Sequence, residues 1–515
     1  MSPVKQQADC GRRGQLARST GLALAGVLAV ALALRLWGLG RESLWLDEAT
    51  SLRLARMSIH DLLVHTAFDV HPPLYYLLLR WWLRFGQSEV ALRSLSVIGG
   101  VLGVGLTFFV GRELFDERTG LAGAVLLAVA PLHIWHAQEV RGYAWQATFC
   151  TLALFGLARV VAVRLQGRPQ RSRWSEAIGW LAYISGAALA MYTHYYSLFV
   201  LLAANILALG LAALRRRLWP FVGLWLAAQA MVGLLYLPWW PVLRMALFSG
   251  GSGWVAILGS PDLEALSSTV VSFIVGGAQP WLPVLVRRLS YGVFMAALVL
   301  GVVWGSWPWA DEEARRRREG VIVAGLAFAL PLATVWLVSQ IKPIFAGRYF
   351  LPFLPPFLIL VGRGAMAFRR RWLRLLALVL LLVGPFWATV EQARRLENPD
   401  WRGLAARIAR EAQPGDGILL VPSFNAKPLD YYLQGRVPIG DWLEPVDPQH
   451  PEPALEIVRR MMGTYRRIWL IWAKGHYSDP TGVVAGYLDG HARRLESETV
   501  PGAGEVILYQ VAASP

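Results

Sequence analysis

Charge is scarce in this sequence and acidic charge scarcer still. Only 16% of its 515 residues are charged, with 34 Asp and Glu set against 50 Lys and Arg. A soluble globular chain is about a quarter charged, so an ordinary water-exposed fold is disfavoured from the start. Just two cysteines are present, Cys10 in a basic N-terminal tail and Cys150 inside an apolar run. That rules out a disulfide scaffold and leaves no zinc or redox spacing. The Gly-x-Gly-x-x-Gly, Walker and Gly-x-Ser-x-Gly patterns are all missing, so nucleotide binding and serine-hydrolase chemistry have no local support. Internal repeats, heptad runs and low-complexity tracts are missing too.

What the sequence has is apolar surface. Hydrophobic residues make up 55% of it and mean hydropathy is +0.42. The 24 tryptophans suit positions where hydrocarbon meets headgroups. Runs long enough to cross a core of roughly 30 Å recur through residue 390. Spans are expected near 20–39, 94–111, 119–136, 143–163, 177–193, 196–214, 219–240, 289–309, 321–340, 349–364 and 372–390, eleven in all. The first follows a basic tail but is too long for a signal-peptide core and has no small-residue cleavage site, so it reads as a retained signal anchor. The net charge of +16 sits in short clusters between apolar runs, at 164–173, 215–217, 315–318 and 369–374. That is the positive-inside pattern, with contact to anionic lipids, and argues against nucleic acid. With the tail 1–19 cytoplasmic, every cluster falls inside, and the loops 40–93, 137–142, 194–195, 241–288 and 341–348 fall outside, as does the C-terminus.

The expected fold is therefore an α-helical polytopic membrane protein with a transmembrane domain over 20–390 and a small soluble α/β domain over 391–515, outside the membrane. The first outer loop, 41–93, carries a helix start at Ser58, where Ser58 and Asp61 have capping-box spacing, and a second helix opening at Pro72–Pro73. LYYLLLRWWLRF (74–85) is apolar but too short to span, and suits the membrane surface. In the C-terminal domain a helix is expected over 400–412 behind the cap Asp400, with strands at 418–421, 467–472 and 505–511.

Candidate chemistry gathers on the outer side. Asp47 and Glu48 follow the first span in ESLWLDEATS, and a carboxylate shielded from water there is able to take a proton from a hydroxyl at neutral pH. Four further clusters lie at outer ends of spans: His71-Pro-Pro-Leu-Tyr75-Tyr76; Gln138-Glu139-Val-Arg141-Gly-Tyr143; Tyr192-Thr-His194-Tyr195-Tyr196; and Lys342 with Arg348-Tyr349. Cations concentrated at one depth are what a phosphate at headgroup level requires. Each cluster alone has an ordinary explanation: a solvated acid pair, a helix cap, an aromatic belt, a surface ion pair. Their concentration on one side favours a site. His133-x-x-His136, with His71, His194 and the nearby acids, is the competing divalent-metal use, but no compact ligand motif completes it, so no metal or cofactor is expected to be required.

The order LWLDEATS, HPPLYYLLLRWW, QEVRGYA, YTHYYSLFVLLA and GRYFLPFLPP resembles bacterial members of glycosyltransferase family 39, the protein O-mannosyltransferases and lipid A aminoarabinose transferases of the GT-C class. The likeness covers roughly residues 20–365. It implies a polyprenyl-phosphate sugar donor and inverting transfer to an acceptor hydroxyl on a protein, glycolipid or polysaccharide, at the extracytoplasmic face of a bacterial inner membrane. It makes Asp47 the catalytic base with Glu48 beside it, puts His71 in the matching motif, sets Glu139 and Arg141 on the turn that shapes the pocket, and makes Lys342 and Arg348 candidates for the donor phosphate. Tyr75, Tyr143, His194, Tyr195 and Tyr349 complete the expected binding set. The main rival is a transporter or flippase of lipid-linked glycans, which would place ionisable groups nearer the bilayer midplane; a scaffold without activity is a third reading.

Overall fold

The computed structural model describes residues 3–69, 71–165, 173–213, 219–248, 259–278, 281–303, 312–395, 397–473 and 478–511. The chain forms two compact units. One comprises Met1–Trp37, Ser58–Gly86 and Ala91–Arg394, the other Gly38–Met57, Gln87–Val90 and Arg395–Pro515.

The first unit is a helical bundle, and the chain is a multi-pass membrane protein. Among the described residues eight helices are long and apolar enough to cross a membrane, or nine if the bent pair Glu117–Ala128 and Pro131–Ala137 counts as one span. That is fewer than the eleven expected. Each expected segment coincides with a helix over its described residues, 304–309 of the eighth lying outside them, but Arg173–Thr193 opens on the polar turn Arg-Trp-Ser-Glu, and Ser197–Ala213 has only 17 residues. The arginines at 215–217 and most of the 164–173 cluster lie outside the described residues, as does part of the loop 241–288. The described part of that loop holds an apolar helix, Leu263–Val275, that was not expected.

Close packing comes from small residues. A Cβ on Gly156 of helix Tyr143–Leu165 would meet the Tyr183 backbone nitrogen at 2.4 Å, so this helix and Arg173–Thr193 pack backbone to backbone. Helix Leu354–Met366 is almost wholly buried and forms the centre of the bundle. The bend in the Glu117–Ala137 pair is 63°. It falls at Pro131, the first residue of the second helix, where the missing N–H is tolerated and the residue before it, Ala130, is held extended. Of the first outer loop, Ile59–Ala67 starts as expected with Ser58 accepting the Asp61 N–H at 3.1 Å, and Leu74–Trp82 follows Pro73. Phe68, Trp81 and Phe85 are exposed there, in keeping with a membrane-surface position.

The second unit is built on a four-stranded sheet, β1 (Asp416–Val421), β2 (Arg467–Trp472), β3 (Ala492–Val500) and β4 (Gly504–Val511), in the order β1-β2-β4-β3. β1 and β2 are parallel and the remaining pairs antiparallel. Helices Trp401–Glu411 and Ala426–Leu433 cover one face, and Glu452–Thr464 and Val483–His491 the other. Asp400 caps the first helix through the Gly403 N–H at 2.9 Å. Three of the strands fall where expected. β3 was missed because it is an exposed edge strand whose alternating charges leave no buried face to read. The unit also includes helix Leu46–Arg56, which carries Asp47 and Glu48 and packs against Ala426–Leu433.

Candidate active site

In the first unit the expected clusters converge on the turn Gln138–Gly142, between helices Pro131–Ala137 and Tyr143–Leu165. Gly142 is required there by close approach: a Cβ would press to 3.2 Å against both Thr193 and Tyr75. Arg141 is buried. Its Nη2 donates to His71 Nε2 at 3.1 Å and to the Tyr143 hydroxyl at 3.3 Å, and its guanidinium lies 5.5 Å from the Tyr143 ring. Since an arginine only donates, His71 Nε2 accepts. The same Nη2 lies 3.5 Å from His71 Nδ1, which faces the Asp69 carboxylate at 3.9 Å.

Tyr349 lies at the centre of the aromatic wall. Its ring centroid is 4.5 Å from His194, 4.7 Å from Tyr196, 5.9 Å from Tyr143 and 6.1 Å from His71. Arg348 approaches the same ring at 5.4 Å. His194 Nδ1 accepts the Tyr196 backbone N–H at 3.2 Å, which leaves the proton on Nε2. That buried Nε2 has no hydrogen-bond partner among the described residues. Burial, together with His71, Arg141 and Arg348, pushes His194 well below the usual imidazole range, so it is neutral.

Glu139 plays a different part. It is held as the anion: burial alone would raise its pKa, but His136 at 3.0 Å, the Trp135 indole N–H at 2.6 Å and the charge of Arg141 bring it below the usual carboxylate range. It anchors the turn and balances its arginine. Tyr75 stands behind the turn, its hydroxyl on Ser96 Oγ at 3.0 Å while Ser96 donates to the Arg141 carbonyl at 3.1 Å. Tyr195 points away from the cluster, accepting the Trp239 N–H at 3.2 Å in a separate apolar group with Tyr192 and Tyr236. Tyr196, which was not in the expected binding set, packs on Tyr349 in place of Tyr195, with its hydroxyl donating to the Ile344 carbonyl. Lys342 closes the turn after helix Glu312–Val338, its backbone N–H on Val338 O at 2.9 Å.

Asp47 and Glu48 sit in the second unit, in the first turn of Leu46–Arg56. Glu48 is fully buried and accepts the Trp45 N–H at 3.3 Å, closing the helix start from its third position. Asp47 is half-buried. The adjacent acids thus differ: one builds the helix and the other remains at its edge.

Among the described residues no group of three His, Cys, Asp or Glu could hold a metal ion. His133 and His136 do not act together, since His133 Nδ1 meets Arg35 at 2.7 Å while His136 serves Glu139. Arg35 and Gln146 were not anticipated. Arg35 is fully buried in the first span and donates to Ala31 O, Ala128 O and Leu127 O at 2.9, 3.0 and 3.2 Å. Gln146, one turn after Tyr143, is fully buried with neither amide atom hydrogen-bonded among the described residues. An isolated polar residue near the end of an apolar run, the C-terminal end for Arg35 and the N-terminal end for Gln146, was the signal for each.

This architecture, a bundle of apolar helices in one unit and a small α/β sheet in the other, is the GT-C fold, the fold of a class of integral-membrane glycosyltransferases. ArnT from Cupriavidus metallidurans is similar over 97% of this chain and all of that one, with a TM-score of 0.61 at 14% identity. Its complex with undecaprenyl phosphate matches equally well, at TM-score 0.61. The oligosaccharyltransferase AglB from Archaeoglobus fulgidus, bound to an inhibitory peptide and a dolichol-phosphate, matches over 94% of this chain and 74% of that one, with TM-score 0.55 and 12% identity. Residues 70–242 match the family model of dolichyl-phosphate-mannose-protein mannosyltransferases. No curated protein matches the chain in sequence.

Proposed function

We propose that this protein is an inverting membrane glycosyltransferase. It moves a sugar from a polyprenyl-phosphate donor to an acceptor hydroxyl, on a protein, glycolipid or polysaccharide, at the extracytoplasmic face of a bacterial inner membrane. The observation that carries the reading is the convergence of Arg141, His71, His194, Tyr143, Tyr349 and Arg348 from separate segments into one buried cationic patch in a membrane protein. Arginine forks and imidazole N–H groups in a site shielded from water suit a phosphate diester whose charge grows as the sugar leaves. Support also comes from the solved relatives, one holding undecaprenyl phosphate and another a dolichol-phosphate with a peptide.

In this reading Asp47 takes the proton of the acceptor hydroxyl, whose oxygen attacks C1 of the sugar from the face opposite the phosphate. The C1–O bond breaks with inversion and both its electrons leave on polyprenyl phosphate. Arg141 and Arg348 hold the departing anion, the neutral His194 offers it Nε2–H, and Lys342 adds charge at the rim. Phosphate leaves unprotonated, so no general acid is needed. The prenyl tail lies among the spans of the 20–390 domain, with the N-terminal tail cytoplasmic and the 391–515 domain outside.

The test is release of undecaprenyl phosphate by the purified protein in liposomes supplied with undecaprenyl-phosphoryl mannose, glucose, N-acetylglucosamine or aminoarabinose and an envelope extract as acceptor. Turnover of at least one donor is expected, with Asp47→Asn lowering it by about 10²- to 10⁴-fold, the range for losing a general base. An Asp47→Asn protein with near-normal turnover removes Asp47 from the base role, and no release from any donor sinks the reading.

A further inference from the structure

The acid helix Leu46–Arg56 has eleven residues, too few to hold its own shape in water. Its placement within the second unit comes from the C-terminal part of the chain. The segment leading into it, residues 40–44, forms no helix or strand and is hydrogen-bonded by residues from beyond 395. The buried Leu44 N–H, three residues ahead of Asp47, donates to the Tyr432 hydroxyl at 2.8 Å. Tyr432 in turn donates to Glu89 Oε1 at 2.9 Å. Arg402 meets the same oxygen at 2.6 Å and the Gly40 carbonyl at 3.1 Å, while its backbone N–H donates to Ser43 Oγ at 3.1 Å. Asn398 donates to the Ser43 carbonyl at 3.0 Å. Further along the helix, Lys427 Nζ reaches Thr50 Oγ1, one turn after Asp47, at 3.3 Å.

We propose that Tyr432 and Arg402 are positioning residues for glycosyl transfer: through Leu44, Gly40, Ser43 and Glu89 they hold the helix start that carries Asp47, making the C-terminal α/β domain a working part of the transferase. The inference rests on Asp47 being the base. Tyr432 is the key contact because its hydroxyl both accepts from a buried N–H of the acid segment and donates to Glu89. Removing the hydroxyl leaves the Leu44 N–H without its acceptor, and the helix start shifts to find another. A displacement on the order of 1 Å at a reacting group lowers turnover by up to about a hundredfold without loosening the donor.

Tyr432→Phe tests this, with Arg402→Lys as a second variant should the first not fold. Two measurements are made on the full-length protein in liposomes: amide hydrogen exchange over residues 41–56, and kcat and KM with the four undecaprenyl-phosphoryl sugars. The expected result is faster exchange over 41–56, kcat lower by roughly tenfold to a hundredfold and an unchanged donor KM. Tyr509→Phe is the control. It removes a buried hydroxyl that donates to Asp489 at 2.7 Å in the same unit and touches nothing in 40–57, so it is expected to lower thermal stability while leaving kcat per folded molecule unchanged. Unchanged exchange in Tyr432→Phe overturns the inference. So does faster exchange with normal kcat, or a fall in kcat matched by Tyr509→Phe. An active Asp47→Asn protein overturns the base assignment instead, and that failure is recognisable because exchange in Tyr432→Phe would still rise.

Discussion

His194 is surrounded by groups that oppose its protonation: His71, Arg141 and Arg348 add positive charge and burial removes water. Its folded pKa therefore lies below the unfolded value of about 6.5. Between the two the unfolded chain takes up a proton that the native site refuses, so stability is complete above about pH 6.5 and is lost as pH falls below it. Thermal unfolding in detergent is expected to show a lower midpoint at pH 5.5 than at pH 7. His194→Asn, which keeps an acceptor for the Tyr196 N–H, should flatten that dependence; equal acid sensitivity in the variant would rule His194 out as the source. Arg141 makes a second prediction. Arg141→Lys keeps the charge but loses the fork that serves His71 and Tyr143 together. Donor KM is expected to rise about tenfold, equivalent to roughly 1.4 kcal/mol, as read from initial rates of undecaprenyl phosphate release. At this scale the sequence showed which clusters carry polar groups but not which way each side chain turns. In His194-Tyr195-Tyr196 the backbone is a tight turn between helices, where neither helical nor strand periodicity applies, so two adjacent tyrosines face different groups.

Helices and strands were legible in proportion to how long and unbroken their apolar runs are. The spans are continuous apolar runs long enough to cross a membrane, several of them largely exposed on the bundle's outside, and the strands β1, β2 and β4 each bury an apolar run; both were readable for that reason. Leu46–Arg56 was not, because two of the residues it buries are Glu48 and Ser51, which break the apolar period. The bend at Pro131 was visible only as a proline, while the device that supports it, Arg35, was not. Arg35 holds the Leu127 and Ala128 carbonyls at the C-terminal end of Glu117–Ala128, where a cation also complements the helix dipole. Arg35→Leu leaves those buried carbonyls without their donor and should cost about 1–3 kcal/mol, seen as a lower unfolding midpoint. Because the helix after the bend carries His136 into the Glu139 turn, weaker undecaprenyl phosphate binding should accompany it. Normal binding with the same loss of stability would show that the bend and the turn move independently.

Over the whole chain, a direction across the membrane is written in charge. Arginines 315–318 and 369–371 flank spans at one end, and moving such clusters across a bilayer is opposed during insertion. The His71–Arg141–Tyr349 patch belongs to turns at the opposite ends of their helices in the parity expected from the sequence, although only eight or nine spans among the described residues meet the length and composition required. Cysteine labelling from one side of the membrane reads the direction. In a Cys10→Ser background, where the remaining Cys150 is buried, single cysteines at the exposed positions Arg317 and Gln449 are challenged with a membrane-impermeant maleimide. Gln449→Cys is expected to label in intact spheroplasts, and Arg317→Cys only after permeabilisation. The reverse pattern would put the α/β unit, and with it Asp47, in the cytosol. A donor delivered to the outer leaflet would then be out of reach of the base, and the transfer reaction argued from these residues would have to be abandoned whatever the kinetics of the purified protein.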